Sequence, residues 1–277
     1  MNTTAVVTGA NQGLGLALVA GIAGRFGPEG NVYLTGRDRE RVAAAASQLR
    51  DAGLHVLAER VDVRSPTAVN RFAALVAERH GQVDIVISNA AARITPDRPE
   101  AEQVETFVDT NNLGTTRMIR AFAPLLAPGG RFLIVASDFG SLRNLPPQLH
   151  RRFDTTTLSL DVLDAQMRDF CNAVEAGHAA AEGWPEWINV PSKVGQVAAM
   201  RVLAREERER ARRDGRFVAA VCPGLVDTDA SRPWFADMSQ AQSPDEAAAD
   251  ILDLVLDPVD PHFYGELVQH HRVVPWT

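Results

Sequence analysis

Short apolar runs alternate along this chain with longer helical patterns, and that alternation constrains the fold more than any other feature. Strands are expected at Ala5–Val7, Asn31–Thr35, His55–Arg60, Asp84–Ser88, Arg131–Ala136 and Phe217–Val221, with a short last one at Glu266–His270. Helices are expected over Leu14–Phe26, Arg39–Ala52, Thr67–His80, Glu102–Leu126, Val190–Arg213 and Pro244–Leu256. The sequence Pro128-Gly129-Gly130 reads as the stop after the fourth of these helices. Such alternation with short loops implies an α/β fold, a single doubly wound parallel sheet with helices on both faces. Ligands of such sheets bind at the carboxyl ends of the strands. One domain, residues 1–277, accounts for the whole chain. Segment 140–187 breaks the rhythm, with no convincing strand and a helical stretch at Asp161–Ala181. A long insertion at that edge is read as a lid or substrate wall.

The chain has 277 residues, 45% hydrophobic and 23% charged, enough for a sizeable core. A net charge of −7 argues against a nucleic-acid or anionic-membrane partner. No apolar run approaches a membrane span, and Met1-Asn2-Thr3-Thr4 lacks the basic region of a secretory signal, so a cytoplasmic protein is expected. Two cysteines, Cys171 and Cys222, are too few for a disulfide framework. The 28 basic residues comprise 27 arginines and one lysine, Lys193. A coding bias toward arginine explains the count. It also makes the surviving lysine informative, because a guanidinium cannot replace a compact ammonium.

Thr8-Gly9-Ala10-Asn11-Gln12-Gly13-Leu14-Gly15 joins the first strand to the first helix. Gly9 permits the tight turn, Gly13 lets backbone approach a pyrophosphate, and Gly15 lets helix pack on sheet. Asn11, Gln12 and Leu14 stand between them, at a helix N-terminus that favours anions. The second strand ends Leu34-Thr35-Gly36-Arg37. An acid there would suit the ribose of NAD. Gly36 instead leaves room and Arg37 supplies positive charge, which favours the 2′-phosphate of NADP(H). Asp38 reads as a surface partner of Arg37.

These motifs resemble the short-chain dehydrogenases/reductases, and the resemblance covers essentially the whole chain. Asp62, with Val63 beside it, matches the residue that meets the adenine. Ser88-Asn89-Ala90-Ala91 stands where the family writes Asn-Asn-Ala-Gly. Asn111 matches the helix asparagine, and Ser137 the catalytic serine. Pro223-Gly224, with Val226 and Thr228, matches the loop over the nicotinamide. The long insertion and the ending Arg272-Val273-Val274-Pro275-Trp276 are most similar to the monomeric carbonyl reductase branch, which implies a monomer. The resemblance makes Lys193 the lysine that holds the nicotinamide ribose.

In the family a tyrosine four residues before that lysine gives the proton to the reduced carbonyl. Here the position holds Asn189, and neither Tyr33 nor Tyr264 stands near it in sequence. Asn189 can donate a hydrogen bond but cannot release a proton near neutral pH. Three explanations follow. The substrate can be a quinone or polycyclic aromatic carbonyl, such as an aromatic polyketide. Its reduced oxygen is phenolate-like, and Ser137 and Asn189 would stabilise it by hydrogen bonds. Alternatively, Asp138 substitutes as the acid of an ordinary carbonyl reductase, although it reads more simply as the cap of a turn before Gly140. Third, the protein binds NADP in a non-redox or regulatory role. The retained Ser137, Asn111 and Lys193 argue against complete decay.

Phe139, Trp187, Leu225, Trp234 and Phe235 are candidate substrate-pocket residues, with Trp184 nearby. His150 and His178 read as exposed, Cys222 as a buried small apolar residue, and Arg205–Arg213 as a solvated helix end. His270-His271 lacks metal-ligand spacing, and no metal is expected.

Overall fold

A computed structural model describes residues 3–277; Met1 and Asn2 of the N-terminal reading lie outside them. Eight strands form one sheet: β1 Thr4–Val7, β2 Asn31–Gly36, β3 Leu57–Arg60, β4 Val83–Ser88, β5 Leu126–Val135, β6 Phe217–Val221, β7 Leu267–Gln269 and β8 Arg272–Val274. Their spatial order is β3-β2-β1-β4-β5-β6-β7-β8. The ladder is parallel from β3 to β7, and only β8 runs antiparallel, against β7. Strand order reverses between β1 and β4, so a crevice opens there at the carboxyl ends.

Eight α-helices cover the two faces: α1 Gly13–Phe26, α2 Arg39–Asp51, α3 Pro66–His80, α4 Val104–Val108, α5 Gly114–Phe122, α6 Leu160–Glu175, α7 Asn189–Asp214 and α8 Pro244–Leu256. Side chains alternate along each strand between two cores. Ala5, Val7, Val32 and Leu34 face α1, α2 and α8. Val6 and Tyr33 face the core of α3 to α7. Both faces are covered, which is why the strands read as continuous apolar runs. Polar side chains fix the helix starts: Ser65 accepts from the Ala68 N–H, and Ser243 with Glu246 closes a capping box on α8. No helix among the described residues is long and apolar enough to cross a membrane.

Three elements differ from expectation. Pro128-Gly129-Gly130 does not end a helix; it lies inside β5, where Leu126 pairs with Val83 and Arg131 with Ile85. The extra residues loop out of the ladder, and the strand resumes. The helix expected over Glu102–Leu126 is interrupted by a π turn at Asp109–Leu113 between α4 and α5. The last strand is followed by β8, reached through His270 and His271 at φ of 47° and 55°, a left-handed turn made without glycine by a residue type that tolerates that region.

Segment 140–187 supplies short 3₁₀ turns and α6, which ends at Glu175, short of the expected Ala181, with Gly177 at φ +73° soon after. Leu145, Leu149, Phe153, Leu163, Met167, Phe170 and Trp184 bury into the core shared with α4 and α7.

Candidate active site

The crevice has two connected parts. The first, about 310 Å³, lies over the ends of β1, β2 and β3 and is lined by Gly9, Asn11, Gln12, Arg37, Asp62, Val63, Ala90 and Ala91. The backbone there is shaped for close approach. Gly9 sits at φ +62°, and a Cβ on it would stand 2.7 Å from the Ala90 Cα. A Cβ on Gly15 would meet the Asn89 Nδ2 at 2.5 Å. Gly13 and Gly15 line neither part of the crevice themselves. Gly13 opens α1, whose first N–H groups are free of side-chain caps. Asn89 ties β4 to this loop, its Nδ2 donating to the Thr8 carbonyl at 2.9 Å and the Gly9 carbonyl at 3.2 Å.

Arg37 is joined at this end by Arg41, Arg64 and Arg93, which sequence reasoning missed. Arg41 lies one turn into α2 and contacts the Gln12 side chain. Asp38 does not pair with Arg37. Its carboxylate caps α2, accepting from the Glu40 and Arg41 N–H groups at 3.0 and 3.1 Å. The acid borders the crevice with one carboxylate oxygen taken up by the start of α2, and a Cβ on Gly36 would stand 2.6 Å from the Asn11 Oδ1. Asp62 gives both oxygens to Arg64, whose Nη2 lies at 2.9 Å. Burial alone would raise that carboxyl; Arg64 overrides it and holds Asp62 below the usual carboxylate range. The glycine cradle, the free helix N-terminus and the arginines fit a dinucleotide with a 2′-phosphate.

The second part, about 480 Å³, lies beyond β4, β5 and β6. It gathers Asn111, Ser137, Asp138, Asn189 and Lys193 with Leu14, Asn89, Pro223, Gly224, Val226 and Thr228. Phe139, Trp187, Leu225, Trp234 and Phe235 line it too, as do Ile94 and Phe107. Trp187 joins the aromatic wall, its ring 5.1 Å from Phe139 and 5.5 Å from Trp234. Trp184 does not reach the cleft; it packs 4.7 Å from Phe170 in the core. The two differ because Trp187 lies two residues before α7 and lines the cleft, whereas Trp184 packs on Phe170 of α6.

Asn189 is the first residue of α7, and Lys193 follows one turn later on the same face. The π turn fixes this helix from below. Asn112 donates to the Ser192 carbonyl at 2.8 Å and accepts from the Ser192 hydroxyl at 2.9 Å. Asn111 accepts from the Ala92 N–H at 2.8 Å, tying the turn to the end of β4. Lys193 donates to the Gln196 Oε1 at 2.9 Å, and burial pushes its ammonium down to about 8. The Ser137 hydroxyl donates to the Asp138 Oδ1 at 2.8 Å, and the exposed Asp138 also accepts from the Phe139 N–H.

Both tyrosines lie outside the cleft: Tyr33 bonds His80 at 2.9 Å, and Tyr264 donates to the Ala204 carbonyl at 2.8 Å. His150 is spent on the Leu145 carbonyl, and His178 lines a separate groove with Arg152 and Asp169. His270 pairs with Asp250 at 2.6 Å. Cys222 accepts from the Asp138 N–H at 3.2 Å, and burial raises its thiol.

Residues 3–146 match the short chain dehydrogenase family. Carbonyl reductase [NADPH] 1 of Mus musculus is 32% identical over 279 residues, covering 98% of each chain. The chain belongs to the short chain dehydrogenase family. Carbonyl reductase [NADPH] 1 of Bos taurus is also 32% identical, over 99% of both chains. Among solved structures, salutaridine reductase from Papaver somniferum superposes with a TM-score of 0.80 at 22% identity, covering 96% of this chain and 99% of that one. That likeness confirms the fold.

Proposed function

We propose that the protein is an NADPH-dependent reductase that transfers hydride to a quinone or polycyclic aromatic carbonyl, as in aromatic polyketide tailoring. It is an oxidoreductase of its family, and its curated relatives are named for NADPH and for carbonyl reduction. NADPH, when bound, supplies the hydride. Gly9, Gly13 and the start of α1 would hold its pyrophosphate, Arg37 and Arg41 its 2′-phosphate, and Lys193 its nicotinamide ribose.

One observation carries the choice of substrate. Asn189 stands on the face of α7 beside Lys193 and opposite an aromatic wall, with both tyrosines elsewhere. An aliphatic ketone becomes a strongly basic alkoxide that needs an acid in the transition state. A quinone becomes a phenolate-like anion, its conjugate acid near the phenol value of about 10. Asn189, and Ser137 once its hydroxyl turns from Asp138 to the substrate, would offer that charge hydrogen bonds. Phe139, Trp187 and Trp234 offer stacking area for a flat ring system. The test is NADPH oxidation across anthraquinones, naphthoquinones and simple ketones. Turnover confined to quinones supports the reading, and no quinone turnover overturns it.

The Ser137–Asp138 hydrogen bond favours a second reading, in which Asp138 acts through Ser137 as the acid of an ordinary carbonyl reductase. Asp138→Asn would then abolish ketone reduction. Tight NADP binding without any turnover would instead favour a regulatory role. We also infer a monomer, because α6 packs beside α7 on the outer side of the sheet. Gel filtration at micromolar concentration checks this.

A further inference from the structure

We propose that Lys193 is the proton donor to the reduced substrate oxygen and that Gln196 is the positioning residue holding it ready. This rests on the quinone-reductase reading. The ionisable side chains lining the substrate part of the crevice are Arg93, Asp138 and Lys193. Arg93 is already paired with Asp229 at 2.9 Å. Asp138 is exposed at the mouth and engaged with Ser137. Lys193 stands deeper, one helical turn from Asn189, where a short side chain leaves the ammonium open to substrate.

The contact to Gln196 is defined by its own partners. An ammonium has only donors, so the amide must present Oε1 to it, at 2.9 Å. The amide Nε2 lies 3.4 Å from the Thr115 hydroxyl, which itself donates to the Asn111 carbonyl at 2.6 Å. Thr115 therefore has only lone pairs to offer, and the amide must give it an N–H. Gln196 is 2% exposed and Thr115 1%, so neither has water as an alternative. The chain from the π turn thus fixes the amide, and the amide fixes Lys193. One N–H of the ammonium goes to Gln196, leaving two for ribose and substrate.

An amide holds the ammonium without neutralising it, whereas a carboxylate at the same place would grip the proton. Cys222 faces Lys193 from the end of β6, and burial keeps that thiol protonated. Asp138 stands beyond Cys222 at the mouth. Burial leaves the ammonium at about 8, a range in which it can give up a proton near neutral pH. Once hydride has been delivered to a ring carbon conjugated with the quinone carbonyl, the ring C=C pair would shift toward the carbonyl carbon and the C=O π pair would reside on oxygen as a phenolate-like enolate. The Nζ–H bond of Lys193 breaks with its electrons left on nitrogen, and the new O–H bond forms. The neutral amine recovers a proton from water at the open end of the cleft.

The single lysine makes the test direct. Protein labelled with ¹³Cε-lysine has one side-chain resonance, and its titration reports Lys193 alone, without cofactor or substrate. A midpoint near 8 is expected in the wild type, raised by a unit or more in Gln196→Glu and lowered in Gln196→Leu. Naphthoquinone turnover should fall above the wild-type midpoint, and in Gln196→Glu that fall should move up with the resonance. Lys193→Arg should still bind NADPH, followed by fluorescence titration, yet lose a hundredfold or more in turnover. Wild-type turnover by Lys193→Arg overturns the lysine role and leaves quinone reduction standing. A midpoint above 10 that Gln196→Glu does not move overturns the Gln196 role, even if a variant misfolds. Absence of wild-type turnover with every quinone removes the substrate reading and the proton step together, while the resonance still decides the Gln196 contact.

Discussion

Replacing Asn189 by Tyr should convert the site toward ordinary ketone reduction. The position is the first of α7, outside the helix interior, so a ring there costs little in helix propensity. Asn189 is half-buried and borders a cleft of about 480 Å³, which has room for a phenol. One turn on, the Lys193 ammonium is held by Gln196, and a cation at that range lowers a phenol by about 1–3 units. A phenol brought down from about 10 becomes an effective acid at neutral pH. A positioned general acid contributes about 10²–10⁴-fold, which is roughly 3–5 kcal/mol of barrier. The expected result is therefore a gain of about 10²-fold or more in kcat/KM for a small ketone, with a smaller change for a naphthoquinone. NADPH oxidation at 340 nm gives both numbers, and NADPH titration checks that the cofactor still binds. A variant that binds NADPH as the wild type does, yet shows no gain on ketones, refutes the argument that the absence of a tyrosine at position 189 sets substrate choice.

Arg41→Ala should weaken NADPH about tenfold to a hundredfold, the worth of a charged hydrogen bond, and leave NADH binding unchanged in parallel titrations. Trp187→Ala removes the ring between Phe139 and Trp234. At about 0.5–1.5 kcal/mol per aromatic contact, KM for an anthraquinone should rise about twofold to tenfold, with little change for a benzoquinone. NADPH affinity should weaken as pH rises through about 8, because the Lys193 cation, already pushed down by burial, is lost there. A flat profile between pH 7 and 9 by fluorescence titration would contradict this. Glu207, 5% exposed, accepts from Arg210 at 2.7 Å and Arg216 at 3.0 Å. Glu207→Ala leaves the largely buried Arg216 charge with only the Asp214 carboxylate at 3.8 Å, at a cost of about 3 kcal/mol. At about 2–4 °C per kcal/mol, the melting temperature by calorimetry should fall about 6–12 °C.

The elements that were legible in sequence are those whose signals are local. Ser65-Pro66 and Ser243-Pro244 mark helix starts because a hydroxyl and a fixed φ act within one turn. Gly9 and Gly15 were legible because a side chain there would collide with neighbours at fixed spacing. What was missed depends on partners distant in sequence. Pro128-Gly129-Gly130 reads as a stop, and only pairing with β4 shows that the strand resumes around it. The π turn carries no residue signal of its own; Asn112 is held by Ser192, 80 residues away. Asp62 and Arg64 are two residues apart, and only the fold shows that the arginine takes both carboxylate oxygens. Gln196 looked like any polar residue in a helix until Thr115 and Lys193 proved to lie on either side of it. Trp184 and Trp187 are three residues apart and could be separated only by the direction in which the chain enters α7.

The two parts of the crevice differ in what a single substitution can do. The dinucleotide end is built mostly from backbone: glycine turns, the start of α1 and the ends of β1 and β2. A side chain placed at Gly9, Gly15 or Gly36 would strike atoms at 2.7, 2.5 and 2.6 Å, so change there is opposed by packing. The chemical end hangs on side chains projecting from the first turns of α7, which the π turn holds through Asn112 and Ser192 whatever stands at position 189. Asn189 thus stands where the family places its tyrosine, on a helix whose lysine is held through Gln196 and whose start is held through Ser192. The same separation predicts that Asn189→Tyr and Arg41→Ala act independently, the first on kcat with ketones and the second on NADPH affinity. Sites farther apart than about 7–10 Å with no shared partner should add within about 0.5 kcal/mol. A double variant whose combined change in kcat/KM departs from the product of the single changes by more than about threefold would mean that the cofactor and chemical ends are coupled through α7 after all.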